Sequence, residues 1–138
     1  MTLTSGQVAV VVDASAMVEV LIGNERWQDR LADWQAAGAV ILAPAHFRVE
    51  IANALLRGVG LEPADAIARV RLLFAAGVDV ADRGLSGAFD AVELADRHRL
   101  TVYDAAYLSL ALDIDGELAT EDKALIRAAS AEGVRITA

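Results

Sequence analysis

The chain has no cysteine in its 138 residues, which removes disulfides, zinc–thiolate sites and thiol nucleophiles from consideration. Lysine is nearly absent as well. Lys123 is the single lysine among 12 basic residues, leaving 12 − 1 = 11 arginines against 20 acidic groups and a net charge of −8. No broad basic surface for non-specific nucleic-acid binding can be built from that balance. A nucleic-acid substrate is still admissible, because bound cations would neutralise clustered carboxylates and local arginines suit phosphate. No apolar run approaches the ~20 residues of a membrane-spanning helix. Residues 1–7 lack the basic and apolar regions of a leader, so a cytoplasmic location without a membrane partner is expected. Neither a Gly-x-Gly-x-x-Gly dinucleotide fingerprint nor a Gly-Lys-Ser/Thr phosphate loop is present.

What the chain does have is apolar content: 56% hydrophobic residues and a mean hydropathy of +0.41, which excludes disorder. Its length predicts one domain over residues 1–138. Short apolar runs alternate with helix-like segments, a pattern that predicts an α/β fold with a mostly parallel central sheet. Strands are expected at residues 8–12, 40–43, 78–80, 117–120 and 134–136. Helices are expected at 15–21, 26–37, 46–57, from Pro63 to Gly77, 86–98, 103–113 and 122–131. In the helix at 86–98, Leu85, Ala88, Phe89, Val92 and Ala95 recur at helical spacing. The helix at 103–113 is almost wholly apolar and should be deeply buried.

Four carboxylates interrupt this apolar framework. Asp13 ends the run Val8 to Val12, Asp104 opens the helix at 103–113, and Asp122 stands between a strand and the last helix. In open α/β sheets, function collects at such strand-to-helix junctions. Helix capping is the ordinary alternative for each aspartate. Glu50 is harder to explain as a cap. It lies with His46, Asn53 and Arg57 on a narrow polar stripe, beside an apolar face of Phe47, Ile51, Ala54 and Leu55. Such a stripe lines a cleft, or else it is solvated, with His46 and Arg57 offsetting Glu50. Carboxylates gathered in apolar surroundings require positive charge. A divalent metal supplies it, which points to metal-dependent phosphodiester chemistry.

These segments resemble the PIN-domain ribonucleases, and within them the VapC-like toxins of type II toxin–antitoxin systems. The resemblance runs through Val11-Val12-Asp13-Ala14-Ser15, Glu50-Ile51-Ala52-Asn53-Ala54-Leu55, Tyr103-Asp104-Ala105-Ala106-Tyr107-Leu108-Ser109-Leu110-Ala111 and Leu118-Ala119-Thr120-Glu121-Asp122-Lys123-Ala124-Leu125. Each motif alone is weak; four in order over nearly the whole chain are strong. The resemblance implies a three-layer α/β/α fold in which Asp13, Glu50, Asp104 and Asp122 ligate Mg²⁺ or Mn²⁺ and carry catalysis. It implies that Thr120 orients a carboxylate or water, while Asn53 and Ser15 are supporting or substrate contacts. For Ser15, capping of the first helix is the alternative. The implied activity is endoribonuclease hydrolysis by metal-activated water, leaving 5′-phosphate and 3′-hydroxyl ends. The implied partners are an RNA substrate, a cognate antitoxin and a second copy of the chain. A PIN nuclease of RNA processing and a non-catalytic binding module of the same fold are the alternatives. A receiver domain fits poorly, since Asp13 lacks an acidic neighbour and Lys123 begins a helix. A haloacid-dehalogenase-type phosphatase would need Asp-x-Asp, and the chain has Asp13-Ala14-Ser15.

Overall fold

The computed structural model describes residues 8–138, so the leader segment considered at residues 1–7 lies outside the described residues. Five strands, β1 (Ala9–Val12), β2 (Val40–Pro44), β3 (Val78–Ala81), β4 (Glu117–Ala119) and β5 (Ile136–Thr137), form one sheet in the order β3-β2-β1-β4-β5. Every pairing is parallel. β1 is central, and Val10, Val11 and Val12 are completely buried. A continuous valine run without polar alternation is what a strand covered on both faces requires.

The connections wind in two directions from β1. Helices α1 (Ala14–Leu21) and α2 (Glu25–Ala36) carry the chain to β2. Helix α3 (Phe47–Asn53), a π-helical continuation (Ala54–Val59) and α4 (Pro63–Ala75) carry it on to β3. Helices α5 (Gly84–His98) and α6 (Val102–Asp113) then return it to β4 on the other side of β1, and α7 (Lys123–Ala131) leads to β5. Right-handed crossovers of opposite direction place the two helix groups on opposite faces, giving a three-layer α/β/α fold. The reversal between β1 and β4 opens a crevice at the carboxyl ends of these strands.

Two local expectations are corrected and one alternative is removed. The helix predicted over 46–57 is not uniformly α-helical. From Ala54 the turn widens, and the amides of Gly60 and Leu61 both donate to the carbonyl of Leu55. The α-helical wheel that aligned Arg57 with Glu50 therefore stops holding beyond Asn53, and Arg57 lies exposed. Most of the periodic apolar stripe of α5 does not face the core either: Leu85, Ala88, Phe89 and Val92 are exposed, and only Ala95 of the stripe is buried, beside Ala91 and Leu94. Helix α6 occupies the sheet face, and α5 packs on α6 through its small residues, which permit close approach. Finally, Asp104 is not a cap. Thr101 caps α6, and its Oγ1 accepts from the Asp104 amide at 3.0 Å.

Candidate active site

Asp13 follows β1 directly and is 4% exposed. Its position at the head of α1 makes it the cap of that helix: Oδ1 accepts from the Ala16 amide at 2.9 Å and from Ser15 Oγ at 2.7 Å. Oδ2 accepts from Thr120 Oγ1 at 2.5 Å. Burial pushes the Asp13 carboxyl up to about 6, against the pull of those three donors, and the charge of Asp122 adds to the upward shift. Capping alone does not require a site this dry. An exposed Asp cap would keep the same hydrogen bonds without the desolvation cost.

Thr120 is fully buried after β4 and joins the Asp13 carboxylate to the backbone of Asp122. Its hydroxyl donates to Asp13 and accepts from the Asp122 amide at 3.0 Å. Asp122 caps α7, with Oδ1 accepting from the Leu125 amide at 3.0 Å. Ser15 is a brace and not the cap of α1. Besides holding Asp13, its Oγ accepts from the Glu121 amide at 3.0 Å, which ties the β1 and β4 loops together. Glu121 itself accepts from Arg26 Nη2 at 2.6 Å and from the Trp27 indole. It fastens α2 to the β4–α7 loop.

Glu50 enters from α3 and Asp104 from the first turn of α6. The Tyr107 hydroxyl, one turn beyond Asp104, donates to Glu50 Oε1 at 2.5 Å. His46 Nε2 lies 3.2 Å from the same oxygen, but its direction is unsuited to a hydrogen bond and the nitrogen is buried without one. The His46 ring packs against Tyr107 and Tyr103, with centroid separations of 4.9 and 5.7 Å. Burial would raise the Glu50 carboxyl, yet the neighbouring His46 and Tyr107 groups outweigh it and hold the carboxyl below its usual value. Asp104 is shifted upward, first by burial and then by the charges of Asp122 and Glu50. Tyr107 is raised well above an ordinary phenol, chiefly by burial and its bond to Glu50, with the charges of Asp13 and Asp104 acting in the same sense. It therefore remains a neutral donor.

The four predicted carboxylates thus act on one another across the crevice. Among the described residues, no lysine or arginine pairs with Asp13, Glu50, Asp104 or Asp122. Nor do any three Asp, Glu or His side chains close on one point as a finished metal-binding group. Both oxygens of Asp13, one of Glu50 and one of Asp122 accept instead from hydroxyl or amide donors. The donor set, all hard oxygen and short of positive charge, fits Mg²⁺ or Mn²⁺ and not a thiophilic metal. Asn53 is exposed, and its side chain caps nothing at the π-helical turn. The sequence gives Tyr107 no role, and it places His46 only on the polar stripe with Glu50. The signal available was the placement of Tyr107 three residues after Asp104, on one helix face.

Residues 10–131 match the PIN domain model. A comparison with curated proteins found no match. Among solved structures, PAE2754 from Pyrobaculum aerophilum is similar with a TM-score of 0.70 at 20% identity, over 94% of this chain and 91% of that one. VapC20 from Mycobacterium tuberculosis, described as a sarcin–ricin loop cleaving toxin, has a TM-score of 0.68 at 21% identity, over 91% and 95%. VapBC2 from Rickettsia felis, solved with a promoter DNA fragment, has a TM-score of 0.70 at 13% identity, over 94% and 97%. At these identities the likenesses concern the fold, while the family match covers most of the sequence. The chain belongs to the PIN-domain family.

Proposed function

We propose that this protein is a Mg²⁺- or Mn²⁺-dependent endoribonuclease and the toxin of a toxin–antitoxin pair, with Asp13, Glu50, Asp104 and Asp122 as the metal-holding catalytic residues. The observation that carries this reading is the carboxylate cluster at the β1–β4 crevice, which among the described residues no lysine or arginine pairs with and in which one buried member is raised to about 6. When bound, a divalent cation supplies the countercharge and the lowered pKa of water that phosphodiester hydrolysis needs. Thr120 and Ser15 fix both oxygens of Asp13, and Tyr107 fixes one oxygen of Glu50, so the carboxylates meet a cation already oriented. Asn53, exposed at the end of α3, is free to contact substrate. No histidine is required as general base.

The structural relative solved as a toxin–antitoxin complex supports a cognate antitoxin, and the exposed Leu85, Phe89, Val92, Ile67 and Leu72 support association with a protein partner, a second copy included. Among the described residues no helix is long and apolar enough to cross a membrane, in keeping with the proposed cytoplasmic location. Purified protein should cleave RNA in Mg²⁺ or Mn²⁺ and stop in excess EDTA. Cleavage that persists in chelator, with contaminating nucleases excluded, would remove the metal mechanism. Expression without an antitoxin should arrest bacterial growth, and Asp13→Asn should relieve the arrest. RNA cleavage without arrest would favour a processing nuclease.

A further inference from the structure

Beside the carboxylates lies a groove of about 260 Å³ between the ends of β2 and β3 and the first turns of α5 and α6. Apart from Asp82, Arg83 and His46 its lining is uncharged, and Pro44, Ala45, Gly84, Gly87, Val102 and Ala106 contribute to it. Two rings, His46 and Tyr103, also line it and pack on each other, and His46 packs as well on Tyr107, the partner of Glu50. Tyr103 is 66% exposed although it directly precedes the half-buried Asp104. Among the described residues its hydroxyl has no hydrogen-bond partner in the structure.

The charges at this groove are arranged so that it offers nothing to a phosphate. Arg83 borders it, but its guanidinium is consumed elsewhere, by Ser109 at 2.5 Å, Asp90 at 2.8 Å and Asp113 at 3.4 Å. Gly87 permits that arrangement, because a Cβ there would stand 2.4 Å from Arg83 Cβ. Asp82, also at the groove, repels anions. The complementary occupant is uncharged and apolar on its faces, with a ring to set against Tyr103, and it is attached to a phosphate that a cation at the neighbouring carboxylates would hold.

We propose that the groove is a nucleobase subsite in which Tyr103 stacks on a base of single-stranded RNA next to the cleaved bond. This rests on the ribonuclease reading above and deepens it. It accounts for how a chain of net charge −8 retains RNA, since stacking is indifferent to the sign of the protein's charge whereas backbone binding is not. Tyr103 is then a specificity-determining residue, and the identity of the docked base sets where cleavage falls.

The test compares wild type, Tyr103→Phe and Tyr103→Leu on short single-stranded RNAs varied at the nucleotides flanking the cleaved bond, one series carrying an abasic residue at each. Tyr103→Phe should match wild type. Tyr103→Leu, folding normally by its melting temperature, should show a KM raised roughly tenfold, a little-changed kcat and a flattened base preference. The abasic substitution that weakens wild-type cleavage should cost Tyr103→Leu nothing. An unchanged KM and preference in Tyr103→Leu overturns the subsite and leaves the ribonuclease reading standing; a groove reserved for a partner protein's side chain predicts that result. Binding of 2-aminopurine RNA in Ca²⁺ is measured in parallel, so that failure of the wild type to cleave any RNA does not decide the matter. Fluorescence quenching by wild type and not by Tyr103→Leu supports stacking, and equal or absent quenching overturns it.

Discussion

The hydroxyl of Tyr107 donates to Oε1 of Glu50 at 2.5 Å, linking α6 to α3 across 57 residues of sequence. This bond leaves one Glu50 oxygen uncommitted and decides which way it points. Tyr107→Phe keeps the ring packed against His46 but frees the carboxylate to turn. Isothermal titration should show Mn²⁺ affinity reduced by roughly tenfold, the scale on which groups behind metal ligands act. Stability should fall by about 1 kcal/mol, the worth of a lost hydrogen bond. An unchanged Mn²⁺ affinity would return Tyr107 to a purely structural role.

Asp13 makes the metal-free stability depend on pH. Its carboxyl is raised from 3.8 to about 6 by burial, so the folded state holds the proton more tightly than the unfolded chain. Any advantage from that is present below pH 4 and is lost as pH rises through 6, above which the buried charge costs about 3 kcal/mol. Asp13→Asn carries no such charge and cannot ionise. Without metal it should melt above wild type at pH 7.5, with the gap narrowing steadily as pH falls toward 4. Parallel melting curves across that range would contradict the assignment.

Thr120 is fully buried and holds Asp13 with its proton and the Asp122 amide with its lone pair. Thr120→Val has nearly the same shape and removes both bonds, leaving a buried amide and a carboxylate short of a donor. A loss of about 1–3 kcal/mol is expected in chemical denaturation. Thr120→Ser should recover most of it, because the hydroxyl returns while only a methyl is lost. Equal losses in the two variants would assign the effect to packing.

Most of the fold is legible because its strands are short apolar runs and its helices carry caps and stops that act locally. Val10 to Val12 reads as a strand buried on both faces, and it is the centre of the sheet. Glu50 stands out because a carboxylate on an apolar helix needs a reason. Asp13 and Asp122 stand out because they follow strands, whereas Thr120 is legible only through the family resemblance. What periodicity cannot show is which element covers which. Leu85, Phe89 and Val92 have the spacing of a core face, yet α6 takes the sheet and leaves them outside. A helical wheel assumes 3.6 residues per turn, and the π-helical widening at Ala54 breaks that assumption for Arg57. The roles of Tyr107 and Glu121 are illegible in the sequence for another reason. Their partners, Glu50 and Trp27, are 57 and 94 residues away, and pairing at that range belongs to the tertiary fold.

Asp104 separates a metal site from ordinary helix chemistry. Because Thr101 provides the cap of α6, replacing Asp104 with Asn disturbs no capping bond, and only the loss of a favourable acidic charge near the helix start opposes the change. Against that stands the upward shift of its carboxyl by burial and by the charges of Asp122 and Glu50. Removing one negative charge relieves both. The group is partly exposed, so solvent screens the gain, and it should amount to about 1 kcal/mol or less. Metal-free Asp104→Asn should therefore melt slightly above wild type. Mg²⁺ or Mn²⁺ should reverse the order, since a ligand stabilises the folded state in proportion to its affinity and the variant has one anionic ligand fewer. Thermal melts at pH 7.5, with and without metal, read both effects. A variant that melts below wild type without metal and gains as much from metal would remove Asp104 from the cation site.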